Sequence, residues 1–241
     1  MYASYTNFIK HAVNETVLDF KSHPMYTGIL EHLDLPMIEY AREQVRILNS
    51  KGVSDTEIYD FASRNDAIGN PVRRYINEMI NCSPTSVRYV YHAHLILEHF
   101  SKFSNEIDIV EVGGGYGGLC FAIHTFANKF NIKIKSYTIV DLTEPLALQR
   151  RYLSEIGIDG VNFIDANTHG NGVPIGSYLI SNYAFSELDA ENRAKYQEVL
   201  FPNISHGFMA WNFIPLYDFG FQVSAEPEVP QTGGSNQHVY F

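Results

Sequence analysis

The run DIVEVGGGYGGLC, Asp108 to Cys120, constrains the fold more than any other stretch of this chain. It reads as a buried strand that runs directly into a glycine-rich turn. The residues after the turn, in LCFAIHTF, take up helical spacing. Glycines between a strand and a helix let the backbone approach a ligand closely, with the helix amides facing it. The glycines fit two registers. One is Gly113, Gly115 and Gly118, a G-x-G-x-x-G. The other is Gly113, Gly115 and Gly117, with Glu111 two residues ahead of the first.

The flanking sequence extends the pattern. After the turn, KIKSYTIVDL, VNFIDA, SYLISNY and GFMAWNF read as strands, separated by the helical stretches EPLALQRRYLSEIG and LDAENRAKYQEVLF. Strands separated by helices of this length pair in parallel through right-handed crossovers. The end differs: FGFQVSA, a Pro- and Gly-rich turn and NQHVYF read as an antiparallel closing hairpin. Residues 1–104 read mostly as helix. Ser54 and Glu57 form a capping-box pattern, Pro84 opens VRYVYHAHLILEHF, and RNDAIGNPVRRY punctuates a turn. The expected division is a helical N-terminal cap over residues 1–104 and a doubly wound α/β sheet over residues 105–241.

Composition narrows the function classes. With 241 residues, 45% hydrophobic and 18% charged, the chain can bury a core. A formal charge of -10 argues against nucleic-acid binding, which needs clustered Lys and Arg. The two cysteines make neither a disulfide framework nor a zinc site. The start lacks a signal-peptide pattern, and no apolar run approaches the ~20 residues a bilayer span needs. The expectation is a cytoplasmic protein without membrane or nucleic-acid partners. The apolar N-terminal helices either cap the ligand cleft or form a homodimer interface, and the sequence leaves both open.

Which cofactor the turn serves depends on context. G-x-G-x-x-G is the fingerprint of dinucleotide oxidoreductases, and E-x-G-x-G-x-G that of S-adenosylmethionine (SAM) methyltransferases. Asp141, at the end of YTIVDL, suits a ribose diol in either nucleotide. The fourth strand ends in the polar SNYAFSE rather than in a second glycine turn. The remaining sheet closes with a hairpin, leaving little chain for the catalytic region of a dehydrogenase. SAM carries a sulfonium cation in place of a pyrophosphate, and Glu111 suits a cation better than it suits phosphates. The balance favours SAM over NAD.

The runs IVEVGGGYGG, SYTIVDLTEPLALQRRYL and LISNYAFSELD, taken jointly, resemble the sugar O-methyltransferase family of class I SAM-dependent enzymes. NDAIGNPVRRY and SPTSVRYVYHAHLI resemble its N-terminal segments, and WNF and TGGSN its C-terminal part, so the likeness runs from about residue 60 onward. It implies a Rossmann-like sheet with an antiparallel C-terminal hairpin, and methyl transfer from SAM to a hydroxyl of a nucleotide sugar or glycan. The runners-up are a SAM methyltransferase with another small-molecule acceptor, an NAD-dependent oxidoreductase and a catalytically silent scaffold.

Under this resemblance Glu111, Gly113, Gly115 and Gly117 surround the methionine part of SAM, with Tyr116 covering it. Asp141 binds the ribose, Leu142 packs on the adenine, Asp165 and Ala166 contact the adenine amino group, and Asn182 also lines the cofactor. The acceptor site draws on Asp66, Asn70, Arg88, Tyr89 and Tyr183. A sugar hydroxyl needs a base as it attacks, and Glu187 is the first choice, with His169 and His92 as rivals. His92 and His94 lie two apart on a helix and face different ways. No spacing forms a strong metal motif, so no metal is assigned; Asp165, His169 and Glu187 are the set that would hold one.

Overall fold

The computed structural model describes residues 2–29 and 35–241. The chain forms two compact units. One comprises residues 1–95, 115–126 and 147–159; the other comprises 96–114, 127–146 and 160–241.

In the first unit, α1 (Tyr2–Ala12), α2 (Pro24–Thr27), α3 (Leu35–Ser50) and α4 (Asp55–Asp66) precede a two-residue hairpin of β1 (Arg74–Tyr75) and β2 (Asn81–Cys82). The capping box forms as expected: Ser54 Oγ accepts from the Glu57 amide, and the Glu57 carboxylate accepts from the Ser54 amide. Then α5 (Pro84–Phe100), which belongs to this unit as far as Leu95, begins with its proline in the first turn, where no backbone donor is lost. Two helices from beyond residue 104 belong to this unit: α6 (Gly118–Phe126) and, from Ala147 onward, α7 (Thr143–Ile156). Phe61 of α4 stacks on Phe121 of α6 at 4.8 Å, and Arg64 donates to the Ile156 carbonyl at the end of α7. Cys82 and Cys120 are buried and are not joined in a disulfide.

The second unit holds a seven-stranded sheet. Its strands are β3 (Glu106–Val112), β4 (Lys133–Asp141), β5 (Val161–Asp165), β6 (Ser177–Asn182), β7 (Ile204–Trp211), β8 (Ser224–Pro227) and β9 (Gln237–Tyr240), in the order β5-β4-β3-β6-β7-β9-β8. The first five in this order are parallel, and β9 runs antiparallel to both β7 and β8. The chain reaches β4 and β5 through α6 and α7, and β7 through α8 (Ala190–Val199). This is the expected doubly wound α/β sheet closed by an antiparallel hairpin. Val110, Val112, Leu179, Met209, Trp211 and Val239 of the strands bury their side chains with Phe185, Tyr196, Leu200 and Phe201.

The hairpin departs from expectation in one respect. Its first strand begins at Ser224, because Phe219 and Phe221 join an aromatic cluster with Phe201 instead of extending the ladder. Pro227 is tolerated because β8 is an edge strand. No helix among the described residues is long and apolar enough to cross a membrane.

Strand order reverses between β3 and β6, which makes this the switch point of the sheet. Open α/β folds bind ligands outside the carboxyl ends of the strands at such a point. Ser181 stitches it together: its hydroxyl donates to the Val112 carbonyl at the end of β3 and accepts from the Phe185 amide beyond β6.

Candidate functional site at the carboxyl edge of the sheet

Within the sheet unit, Glu111, Gly113, Asp141, Leu142, Asp165, Asn182 and Tyr183 all lie at or just beyond the carboxyl ends of strands. Gly113 leaves β3 with φ +77°, and a Cβ there would come 2.2 Å from the Ala184 Cβ, so no other residue fits this turn. Asp141 holds the turn from the neighbouring strand: its Oδ2 accepts from the Gly114 amide at 3.0 Å and its Oδ1 from the Leu142 amide at 2.8 Å. A carboxylate has further lone pairs, so Asp141 can still accept from a diol. Leu142 beside it is 42% exposed, an apolar face offered to solvent.

Glu111 is buried, and its Oε2 accepts from the Tyr137 hydroxyl at 2.8 Å. Burial pushes its carboxyl up to about 8; the Tyr137 hydrogen bond opposes the shift and the Asp141 charge adds to it. The anion expected at Glu111 is therefore protonated at neutral pH in the free protein, and a cation brought beside it would draw the proton off.

Asp165, paired in register with Asp141, accepts from the Thr143 hydroxyl at 2.6 Å and from the Asn167 amide at 2.9 Å. These bonds hold its carboxyl below the usual range. Ala166 opens the short 3-10 turn that Asp165 caps.

Tyr183 follows β6 with φ +62°, a strained conformation for a bulky residue. Three anchors keep it there. Its amide donates to the Ala210 carbonyl at 2.7 Å, its carbonyl accepts from Ser186 at 2.8 Å, and its hydroxyl donates to the Glu228 carboxylate. Glu187 is exposed and accepts from Asn212 Nδ2 at 3.2 Å; desolvation raises its carboxyl and the Asn212 bond offsets part of that. His169 turns to α8, with Nε2 3.2 Å from Asn192 Oδ1 and its ring edge-on to Tyr196. Asp165, His169 and Glu187 each have separate local partners, and among the described residues they do not gather into a metal-binding set.

Within the helical unit, the second half of the glycine turn is equally fixed. Gly115 O accepts from Gln149 Nε2 at 3.0 Å, and Gly117 has φ +98° with the Leu153 side chain 3.1 Å from where a Cβ would stand. Tyr116 is fully buried, its ring against Phe20, Tyr89 and Tyr152. Lys21 Nζ lies 4.2 Å from that ring centroid and donates to the Asn65 carbonyl at 2.6 Å. Asn65 is the hub: its side chain bonds the hydroxyls of Ser86, Tyr116 and Tyr152. Tyr116, expected to cover the cofactor, is thus built into this core.

Of the expected acceptor residues in this unit, Asp66 is buried and accepts from the Ser83 amide and the Ser86 hydroxyl. Asn70, at φ +51°, donates to Asp19. Arg88 and Tyr89 are half-buried on α5, and His92 on the same helix is buried.

Sequence reasoning missed Glu228, Asn212, Asn65 and Lys21. Glu228 lies in EPEVPQTGGSN, whose prolines and glycines read only as a turn. The TGGSN part of that stretch, set apart by the resemblance, was the one available signal.

No protein-family model matches the chain, and no curated protein matches it. It is similar in structure to a geranyl diphosphate methyltransferase solved in complex with SAM, at 18% identity over 51% of this chain and 48% of that one, TM-score 0.38. It is similar to a SAM-dependent methyltransferase from Aquifex aeolicus, at 15% identity over 59% of this chain and 86% of that one, TM-score 0.43. It is also similar to the mitomycin 7-O-methyltransferase MmcR, at 13% identity over 66% and 55%, TM-score 0.44. The chain spans about half the length of the first and third of these, and most of the second.

Proposed function

We propose that the chain is a SAM-dependent O-methyltransferase whose acceptor is a sugar hydroxyl, nucleotide-linked or within a glycan. The observation that carries the reading is the antiparallel β9, standing beside β7 where a dinucleotide fold has its sixth parallel strand. The donor set fits the cofactor as well. Glu111 and Asp141 bring carboxyl groups to the first half of the turn, which suits a sulfonium and a ribose diol better than a pyrophosphate.

Bound there, SAM would supply an electrophilic methyl group for in-line displacement. Asp141 would hold the ribose, Leu142 the adenine face, Asp165 the adenine edge, and Glu111 the cationic end. Positioning of the reactants supplies much of the acceleration in such a reaction. A sugar presents hydroxyls and an apolar ring face. Glu187, Asn182 and Asn212 offer polar groups at the strand ends, and Phe213, 70% exposed, offers an aromatic face directly after Asn212.

The dinucleotide reading retains one observation in its favour. A Cβ on Gly118 would come 2.5 Å from the Tyr89 ring, the crowding expected of the third glycine in G-x-G-x-x-G. Calorimetry with S-adenosylhomocysteine and NAD separates the two. Labelled SAM offered with UDP-, GDP- and dTDP-hexoses and with methyl glycosides then tests the acceptor class; absence of transfer to all of them would refute the sugar assignment.

A further inference from the structure

We infer that Tyr183 and Glu228 form the proton-accepting couple of this site, with Tyr183 touching the acceptor hydroxyl and Glu228 acting through it; the inference rests on the methyltransferase reading above. The first ground is position. Tyr183 immediately follows β6 at the switch point, and its neighbour Ala184 is the residue against which Gly113 packs. The phenol therefore leaves the chain one residue from the wall of the glycine turn.

The second ground is the strain at Tyr183. A tyrosine at φ +62° is strained and persists only where its surroundings over-determine it. The bonds to Ala210 and Glu228 and the bond from Ser186 do so, and they fix the phenol's direction as well as its backbone.

The third ground is the build of Glu228. It lies 45 residues further along and is buried, yet no lysine or arginine pairs with its carboxylate among the described residues. Instead Oε2 accepts from the Thr232 amide at 2.8 Å, the Thr232 hydroxyl at 2.6 Å and Asn236 Nδ2 at 3.2 Å, which leaves Oε1 for Tyr183. Gln231 and Asn236 cross-bond to close the loop around it. The three donors on Oε2 are neutral, and within the sheet unit the buried His238 brings a ring nitrogen within 4.8 Å of the carboxylate.

The step balances as follows. The acceptor oxygen forms a C–O bond to the methyl group while the C–S bond breaks, its electron pair staying on sulfur. The hydroxyl proton passes to Tyr183 Oη as the Tyr183 proton passes to Glu228 Oε1. Water later carries that proton away. Glu187, on the rim with Asn212, then serves acceptor binding and not proton removal.

The test compares Tyr183→Phe and Glu228→Gln with the wild type. S-adenosylhomocysteine binding is read by calorimetry, and methyl transfer from labelled SAM is read with UDP-, GDP- and dTDP-hexoses and methyl glycosides. General-base catalysis is worth roughly 10²–10⁴-fold. The expected result for each variant is cofactor affinity within about twofold of wild type, kcat lower by ~100-fold or more, and KM for the sugar little changed. The double variant should be no worse than the poorer single one, because the two residues act as a unit. Tyr183→Phe at wild-type kcat would overturn the couple. So would a loss of kcat matched by loss of cofactor binding, which would make Tyr183 a structural prop of the cofactor site. If Glu228→Gln fails to fold, Tyr183→Phe decides alone. Wild-type protein that binds S-adenosylhomocysteine but methylates none of these sugars would overturn the acceptor reading and the couple with it; wild-type protein that does not bind it would overturn the cofactor reading.

Discussion

Gly113 and Ala184 meet so closely that a single added methyl on the glycine would come 2.2 Å from the alanine Cβ. The first glycine of the turn is thereby locked to the loop that carries Tyr183. Gly113→Ala combines that clash with a positive φ, and should destabilise the protein by about 2 kcal/mol or more. Urea unfolding measures this, and a variant as stable as wild type would show that the turn can move away from Ala184.

Glu111 gives a pH dependence of definite sign. Its carboxyl titrates near 8 when folded and near 4.5 when unfolded, so the folded state holds the proton more tightly. Its contribution to stability is complete below about pH 4.5 and is lost as pH rises through about 8, a change on the order of a few kcal/mol. Glu111→Gln cannot ionise. It should lack this decline and be more stable than wild type at pH 9, as read by urea melts at pH 5, 7 and 9. A decline of equal steepness in the variant would assign it to other groups.

Asn65 tests the helical unit. Removing its side chain takes a hydrogen-bond partner from the buried hydroxyls of Tyr116, Tyr152 and Ser86. Asn65→Ala should cost about 2–4 kcal/mol in urea unfolding. A cost below about 0.5 kcal/mol would mean that water replaces it.

Much of this was legible in the sequence. IDIVEV, TIVD, YLISN and FMAW are short apolar runs bounded by turn residues, and each became a parallel strand because such runs have few other ways to bury both faces. The capping box at Ser54 and the hairpin at the end were legible for equally local reasons. What stayed hidden depends on long-range contact. Periodicity marked YGGLCFAIHTFANKF and EPLALQRRYLSEIG as helical, but it carries no information on what covers them, and α6 joined the N-terminal helices through Phe61 and Phe121. Strands as short as β1 and β2 have no periodicity to detect. The Tyr183–Glu228 bond spans 45 residues, and a glutamate among prolines and glycines gives no sign of being buried.

The Glu187 assignment separates local from long-range reasoning. Sequence position made Glu187 the first choice of base, whereas the structure leaves it exposed with one amide partner. Glu187→Gln should keep kcat within about fivefold of wild type while raising KM for the sugar, since its hydrogen-bonding shape is retained. A ~100-fold fall in kcat with unchanged cofactor binding would restore Glu187 as the base and remove Glu228 from that role.

The most direct test of the central claim is calorimetric titration of the purified protein with S-adenosylhomocysteine, with NAD as control and Asp141→Ala as the variant. The account predicts micromolar binding of S-adenosylhomocysteine, no binding of NAD, and at least tenfold weaker binding in the variant, because Asp141 holds the Gly114 amide and is the carboxylate proposed for the ribose. Binding of NAD in place of S-adenosylhomocysteine would contradict it and assign the glycine turn to a dinucleotide.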